Sequence, residues 1–392
     1  MLGVLSSAWD NSAPITGHHR RNRLCDDTLG GMSTQALHQH PAWFGSVMGT
    51  AALSVAMYQS GLALVALEWV SPHTTPAAAL TWASVAFLVL ASVLAAILTP
   101  RYLIRSKDRE ALAHEMSHPA HGAMLATFPA GFLVLAVAWG RVGPEFISTD
   151  PALAVSAVLI VVGALGAVAL SVVWAAAQGR GVATLADVHG GWLIPPVMSL
   201  LVPLALAPQI TAYPGQAEWL LAVSLAFYGI GFFLFIAFFT LLIARLALRP
   251  PLAHALSPSL WVPLAPAGIV GLALLKTVSA GVDVGVWGST LVSVAIVVTA
   301  MGLGLGLWWM LFAIGDLLRV RSGGGLPFHP GWWSFVFPIA AMQLSMTALG
   351  VALDSAVVMI SGLILGLVLL AVWFIVGVHT LGAIIHHRAM RT

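Results

Sequence analysis

Long apolar stretches separated by short polar segments dominate the pattern of this chain. A membrane-spanning helix needs about 20 largely apolar residues, and ten stretches qualify. They cover residues 42–60, 77–98, 120–141, 152–176, 191–209, 217–246, 259–277, 287–313, 331–350 and 355–383. The pattern predicts an all-α integral membrane protein whose ten transmembrane helices form five helical hairpins.

Composition supports this class and limits the others. Of 392 residues, 59% are hydrophobic and 8% charged, whereas soluble domains carry about 25% charged residues. The single cysteine, Cys25, excludes an intramolecular disulfide and a thiolate metal site. We expect residues 1–37 to be a disordered cytoplasmic tail and residues 38–388 to form the transmembrane domain. Translation could start at Met1 or at Met32, which stands just before the first span.

Basic residues predict the orientation, because cytoplasmic loops retain Lys and Arg. With the N-terminus inside, Arg141 and Lys276 fall on the outer side, and the other fourteen of the sixteen basic residues fall inside. The inner set is Arg20, Arg21, Arg23, Arg101, Arg105, Lys107, Arg109, Arg180, Arg245, Arg249, Arg319, Arg321, Arg388 and Arg391. Both termini are therefore expected in the cytoplasm and the protein in the plasma membrane. The net charge of +2 reflects topology and not nucleic-acid binding.

Related strings open the odd-numbered spans. They are HPAWFGSVMGT from His40, HPAHGAMLATFPAG from His118, HGGWLIPPVMS from His189, SPSLWVPLAPAG from Ser257 and HPGWWSFVFP from His329. The period is roughly 70–80 residues, the length of one hairpin, and such repetition indicates a repeat architecture. It predicts fivefold pseudo-symmetry about a central pore.

Each odd span also carries a helix breaker about one-third of the way across. The breakers are Gly49, Pro129, Pro196, Pro266 and Pro338. Interior proline kinks a helix, and in hydrocarbon the freed carbonyl needs a partner or water. We expect five kinked helices around a pore and five straighter helices facing lipid; packing kinks without a pore are the alternative.

The charge pattern favours an anion or a neutral solute. No Asp or Glu falls within an odd span, whereas cation pathways usually display them. Helix N-termini, which attract anions, would meet at the cytoplasmic mouth. His40, His118, His189 and His329 start four of these spans and could add charge in acid, or they could simply cap the helices or lie at the interface. Lys276 at the outer mouth could attract anions or could extend toward headgroups.

Two phenylalanines immediately precede a breaker proline: Phe337 before Pro338 and Phe128 before Pro129. Aromatic rings facing a narrow axis would form a hydrophobic constriction that gates by dewetting. Ordinary helix packing is the alternative for each ring.

The strings HPAWFGSVMGT, HGGWLIPPV, PSLWVPLAPAG and WWSFVFP resemble the tellurite-resistance/dicarboxylate transporter family. That family includes fungal malate transporters, sulfite efflux pumps and plant slow anion channels. The resemblance implies ten helices in five hairpins around a pore, gated by a phenylalanine on the ninth helix that matches Phe337. A second pore phenylalanine on the third helix matches Phe128. It also implies a homo-oligomer, a trimer in the bacterial and plant members. The WWSFVFP form is closest to the malate and sulfite branch.

These observations predict transport of a small anion, with C4-dicarboxylates such as malate or succinate first. Sulfite and monovalent inorganic anions are the alternatives, and transport could be passive or proton-coupled. A membrane-bound enzyme is the competing class, but only His379 lies well inside a span as a haem ligand, and no Asp-rich cluster borders the membrane. We therefore expect a transporter that needs no cofactor or metal.

Overall fold

Ten helices long and apolar enough to cross a membrane make up most of the structure. The structure is a computed structural model that describes residues 41–71, 74–108, 110, 112, 115–116, 118, 122–179 and 183–389. Within these residues there is no β-strand, so the all-α class and the ten predicted spans are confirmed. The expected tail, residues 1–37, and His40 lie outside the described residues.

Successive helices cross the expected membrane in opposite directions. They are α1 (Phe44–Ala66), α2 (Thr75–Arg105), α3 (Thr127–Arg141), α4 (Thr149–Gln178), α5 (Ile194–Ala212), α6 (Ala217–Leu248), α7 (Leu264–Asp283), α8 (Thr290–Ser322), α9 (Val336–Ala352) and α10 (Ala356–Ala389). Each odd helix packs most extensively against the even helix that follows it. The five predicted hairpins are therefore present.

The odd helices form an inner ring. Contacts run from α1 to α3, α5, α7 and α9 and back to α1. In the odd spans 78–94% of the most apolar window is buried, against 17–28% in the even spans. The even helices expose large apolar side chains such as Leu165, Phe233 and Leu311, which suits contact with lipid tails. The ring encloses an axis, and fivefold pseudo-symmetry about it stays a prediction.

Every odd helix is preceded by a 3-10 segment. These segments are Pro41–Trp43, Gly122–Ala126, Gly190–Leu193, His254–Trp261 and Pro330–Phe335. Four of the expected breakers occupy the same position after the 3-10 segment. Each is the third residue of its α-helix: Pro129, Pro196, Pro266 and Pro338.

That placement corrects the expected interior position of the prolines. N–H groups in the first turn of an α-helix have no intrahelical acceptor, so proline costs no helical hydrogen bond there. The prolines mark the change from 3-10 to α geometry near the start of each odd span. Whether this junction bends the span toward a pore stays a prediction.

Candidate anion pathway

Two cavities lie inside the ring. The first, called here the Phe337 cavity, has a volume of about 40 Å³ and lies near the start of the odd helices. Its lining is Ala42, Gly45, Met48, Met124, Thr127, Ile194, Val197, Val262, Ala265, Pro330, Gly331, Trp333, Ser334, Phe337 and Pro338. None of these side chains is charged, and most are apolar. This end of the axis is therefore a small apolar chamber.

The second, called here the Lys276 cavity, has a volume of about 170 Å³ and lies toward the end of the odd helices. Its lining is Val55, Gln59, Val137, Arg141, Leu204, Ala207, Pro208, Thr211, Leu272, Lys276, Ser279, Ala280, Asp283 and Leu344. Two cations, one carboxylate and several neutral polar groups face the same space. The two cavities thus differ about fourfold in volume and sharply in polarity.

On four of the five odd spans, residues of the same helix face line both cavities. Met48 and Val55 on α1, Val197 and Leu204 on α5, Ala265 and Leu272 on α7, and Phe337 and Leu344 on α9 form the pairs. Each pair is seven residues apart, which is nearly two complete α-helical turns and about 10 Å of rise. Residues two turns apart share a face, so the cavities lie along one axis within the ring.

Phe337 lies at the axis, on the second residue of α9, where the sequence predicted an axis-facing ring. Its side chain lines the small cavity and is 7% exposed. Phe335, two residues earlier, does not line either cavity. Its ring lies 5.4 Å from that of Trp261 in an edge-to-face arrangement. The two rings therefore lie on different surfaces: Phe335 ends the 3-10 segment Pro330–Phe335, and Phe337 lies in the first turn of α9. A gating role for Phe337 stays a prediction.

Phe128 does not line the cavity, which corrects its expected position. Its ring stacks on Tyr102 of α2 with 4.1 Å between centroids and meets the ring of Phe44 edge to face at 4.7 Å. From this part of the chain, Met124 and Thr127 line the cavity. The Phe-Pro motif alone could not predict this packing, because the ring on which Phe128 stacks belongs to a different helix, α2.

Gly49 lies where α1 meets the ninth span. A Cβ atom at this position would come within 2.9 Å of Val336 Cγ1 and 3.1 Å of Trp333 Cε3. At Gly45, one turn earlier, a Cβ atom would come within 2.8 Å of Trp333 Cβ. Gly49 continues α1, which is α-helical from Phe44 to Ala66. Gly49 therefore allows close approach of α1 to the ninth span, and a kink at this residue stays a prediction.

Two of the four predicted vestibule histidines cap the 3-10 segments. The Nδ1 atom of His189 accepts a hydrogen bond from the Gly191 backbone N–H at 3.1 Å. His329 accepts one from Gly331 in the same geometry, also at 3.1 Å. The imidazole lies over the glycine, where a Cβ atom would come within 2.5 Å of the ring Cε1 in either case. The His-x-Gly spacing thus forms a side-chain N-cap.

This capping corrects the expected acid-charged vestibule. None of His118, His189 and His329 lines the Phe337 cavity. His189 is fully buried, and burial lowers the pKa of His329 to about 4. His118 is half-buried, and its carbonyl accepts a hydrogen bond from Gly122. His40 is outside the described residues. Neutral imidazole is the form that accepts at Nδ1, so capping and protonation compete.

Lys276 is among the residues that line the second cavity, and the sequence did not identify the groups that accompany it there. Arg141 ends α3, and Gln59 lies in the last third of α1. Ser279 and Asp283 follow Lys276 on the same helix. Arg141 was recognisable as the other basic residue on this side, whereas Gln59 carried no signal because single amides are common in long helices.

Across the described residues, no three His, Cys, Asp or Glu side chains come together in a way that could hold a metal ion. The chemistry that the ring offers is an apolar neck at one end and cationic and hydrogen-bonding groups at the other.

The chain is similar in sequence to known membrane transport proteins. Residues 38–381 match the family model described as voltage-dependent anion channel. An uncharacterized transporter of Methanocaldococcus jannaschii is 29% identical over 78% of this chain and 82% of its own length. A sulfite efflux pump of Arthroderma otae is 23% identical over 86% of this chain and 88% of its own length. A sulfite efflux pump of Trichophyton rubrum is 22% identical over the same shares.

The resemblance found in the odd-span strings is thereby confirmed across most of the sequence. The match accounts for a multi-pass membrane protein that transports anions and is not an enzyme. With ten spans in five hairpins and an inner ring of odd helices, this chain belongs to the voltage-dependent anion channel family.

Proposed function

We propose that small oxyanions cross the membrane along the axis of the inner ring and that the ring of Phe337 closes this path. The observation that carries the proposal is the shared helix face that lines both cavities. An anion entering the Phe337 cavity must leave water for a chamber of about 40 Å³ without a charged side chain. Such desolvation is costly, so a phenyl ring at this point is a barrier to ions.

The charges along the axis favour anions over cations. Arg141 and Lys276 place positive charge at one end of the axis. The single carboxylate in either lining is Asp283.

Sulfite is the substrate that we propose first. Its compact shape suits the small Phe337 cavity, and two fungal relatives carry the name sulfite efflux pump. C4-dicarboxylates such as malate and succinate, the first expectation from sequence, are the second candidate. The larger Lys276 cavity, with two cations, favours them. Monovalent inorganic anions come third.

Proteoliposomes distinguish these substrates. Purified protein is reconstituted, and uptake of labelled sulfite, succinate, malate and chloride is compared with and without a pH gradient. We expect sulfite uptake above that of protein-free vesicles and competition between sulfite and the other carried anions. Succinate or malate uptake without sulfite uptake would reverse the substrate order. Uptake of none of the four would contradict the proposal.

The proposal also covers the membrane, the orientation and the oligomeric state of the transporter. We place it in the plasma membrane with both termini in the cytoplasm, which puts the Phe337 cavity on the inner side and the Lys276 cavity on the outer side. The excess of basic residues in the loops between even and odd spans supports this orientation. A homotrimer is the assembly that we propose from the family resemblance. Mass measurement of the detergent-solubilised protein tests it, and a monomer mass would contradict it.

A further inference from the structure

We propose that the Lys276 cavity is a binding site for an anion with two negative charges, held between Arg141 and Lys276 from opposite sides of the axis. The cavity lies about two helical turns from the Phe337 neck along the shared helix face. It therefore binds the anion before or after the barrier and not at it. The inference rests on the proposed function only in taking the bound anion to be the transported one.

The two cations reach the cavity from helices that are not neighbours. Arg141 is the last residue of α3, and Lys276 lies on α7. In the ring, α5 separates these helices on one side, and α9 and α1 separate them on the other. An anion in the cavity is thus approached by positive charge across the axis.

Neither cation forms an ion pair among the described residues, although Asp283 lines the same cavity. The ion pairs among the described residues are Arg105–Glu115 and Arg319–Asp316, and no hydrogen bond of Arg141 or Lys276 occurs there. Arg141 is exposed and Lys276 is half-buried, and two like charges that face one cavity repel each other. An anion in the cavity would offset this repulsion.

A buried amide supplies the second observation. Gln59 lines the cavity, is 8% exposed and forms no hydrogen bond within the described part of the chain. Its amide atoms are not among the fully buried, unpaired side-chain atoms of the described residues, so they are open to the cavity and available to a partner there. The hydroxyl of Ser279 also lines the space without a hydrogen bond among described residues, whereas Thr211 donates its hydroxyl to Pro208 O at 3.1 Å.

These groups select an oxyanion over a halide. The amide N–H groups of Gln59, the hydroxyl of Ser279 and the two cations are all donors, and oxygens spread over a dianion can accept from several of them at once. Two cations balance a dianion, whereas chloride balances one. Sulfite and succinate both meet this description, and the volume of about 170 Å³ accommodates either.

Asp283 opposes binding from the rim. It is exposed and ends α7, seven residues after Lys276, so it stands about two turns farther out on the same face. Its carboxylate repels an approaching anion and limits the affinity of the site. A transporter must also release what it binds, and this charge favours release.

Equilibrium binding tests the site without requiring transport. Calorimetric titration of the purified full chain with sodium succinate or sodium sulfite is compared with sodium chloride at constant ionic strength. We expect both dianions to bind more tightly than chloride. Lys276→Gln and Arg141→Gln should each raise Kd roughly 10- to 100-fold, since each removes a charge-assisted hydrogen bond. Asp283→Asn should lower Kd about threefold or more.

Arg321→Gln is the matched control, because it removes an exposed arginine at the other end of the bundle. Its Kd should stay within about twofold of the parent value. Lys276→Arg keeps the charge and should keep most of the affinity. If the neutral Lys276 variant does not fold, Asp283→Asn alone tests the site, since an unchanged or weaker affinity there would overturn it.

The outcomes separate this inference from the proposed function. Unchanged Kd in folded Lys276→Gln and Arg141→Gln variants would refute the anion site even if Phe337 substitution alters flux. Loss of binding in these variants, combined with unaltered flux after Phe337 substitution, would support the site and contradict the proposed gate. Equal binding of chloride and succinate would refute the dianion class.

Discussion

Replacement of Phe337 by alanine tests the proposed barrier most directly. The substitution removes a phenyl ring from the wall of a cavity of about 40 Å³ and should open a wider, wetter neck. An anion in an apolar neck pays several kcal/mol of desolvation. If the wider neck restores water that offsets 2–3 kcal/mol of this barrier, flux rises roughly 30- to 160-fold, since 1.36 kcal/mol corresponds to a factor of ten.

Phe335→Ala is the matched control. The two rings are almost equally buried, at 7% and 8% exposed, and both changes delete the same atoms. Phe335 packs on Trp261 away from both cavities, so its loss should cost about 3–5 kcal/mol of stability and leave flux per folded molecule unchanged. Phe337 borders a cavity already, so its loss should cost less.

The assay is anion uptake into proteoliposomes, normalised to folded protein, together with unfolding of each variant in detergent. The expected result is high flux for Phe337→Ala and parental flux for Phe335→Ala. A larger flux increase for Phe335→Ala would show that the register of α9 is wrong. Parental flux in both folded variants would place the barrier elsewhere along the axis.

Three further predictions concern the ends of the helices. The pKa of His329 is about 4 in the folded protein and 6.5 in its ordinary state, so the unfolded state takes up the proton first as pH falls. The free energy of unfolding should therefore decrease by up to about 3 kcal/mol between pH 6.5 and 4. His329→Gln should reduce this pH dependence, measured by unfolding in detergent. Gly331→Ala forces a Cβ atom to within 2.5 Å of the His329 ring and should cost about 1–2 kcal/mol through loss of the cap; unchanged stability would contradict the capping role. In a Cys25→Ser background, a cysteine at exposed Ser71 should react with an impermeant reagent from outside and one at exposed Lys107 only from inside; the opposite labelling would reverse the orientation.

The sequence by itself determined the fold class and the number of spans, whereas the orientation that its basic residues predict stays a prediction. Runs of apolar residues fix the spans because backbone hydrogen bonds cannot be left unmade in lipid. The repeated strings identified the odd spans as one structural type, and the ring of α1, α3, α5, α7 and α9 bears this out. Phe337, the residue before Pro338, is among the residues that line the small cavity, and its expected role as the ring that closes the axis stays a prediction.

Only tertiary structure decided what each repeated residue touches. Phe128 and Phe337 share the same local motif, but Tyr102 of α2 offers a stacking surface to one and a cavity borders the other. For His189 and His329 the sequence left two roles open, charge at the mouth and helix capping, and the structure has each ring accept a hydrogen bond from the glycine two positions later. Local sequence specifies which conformations are available, whereas neighbouring helices determine which one is buried, paired or left facing a cavity.

The grouping of Gln59, Arg141 and Lys276 shows the same limit. These residues are far apart in the chain and lie on α1, α3 and α7. No periodicity within one span reports a distance to another span, because side-chain periodicity describes only the faces of a single helix. Closure of the five-helix ring brings them to one cavity, and it is this closure that converts three separate polar residues into a candidate anion site.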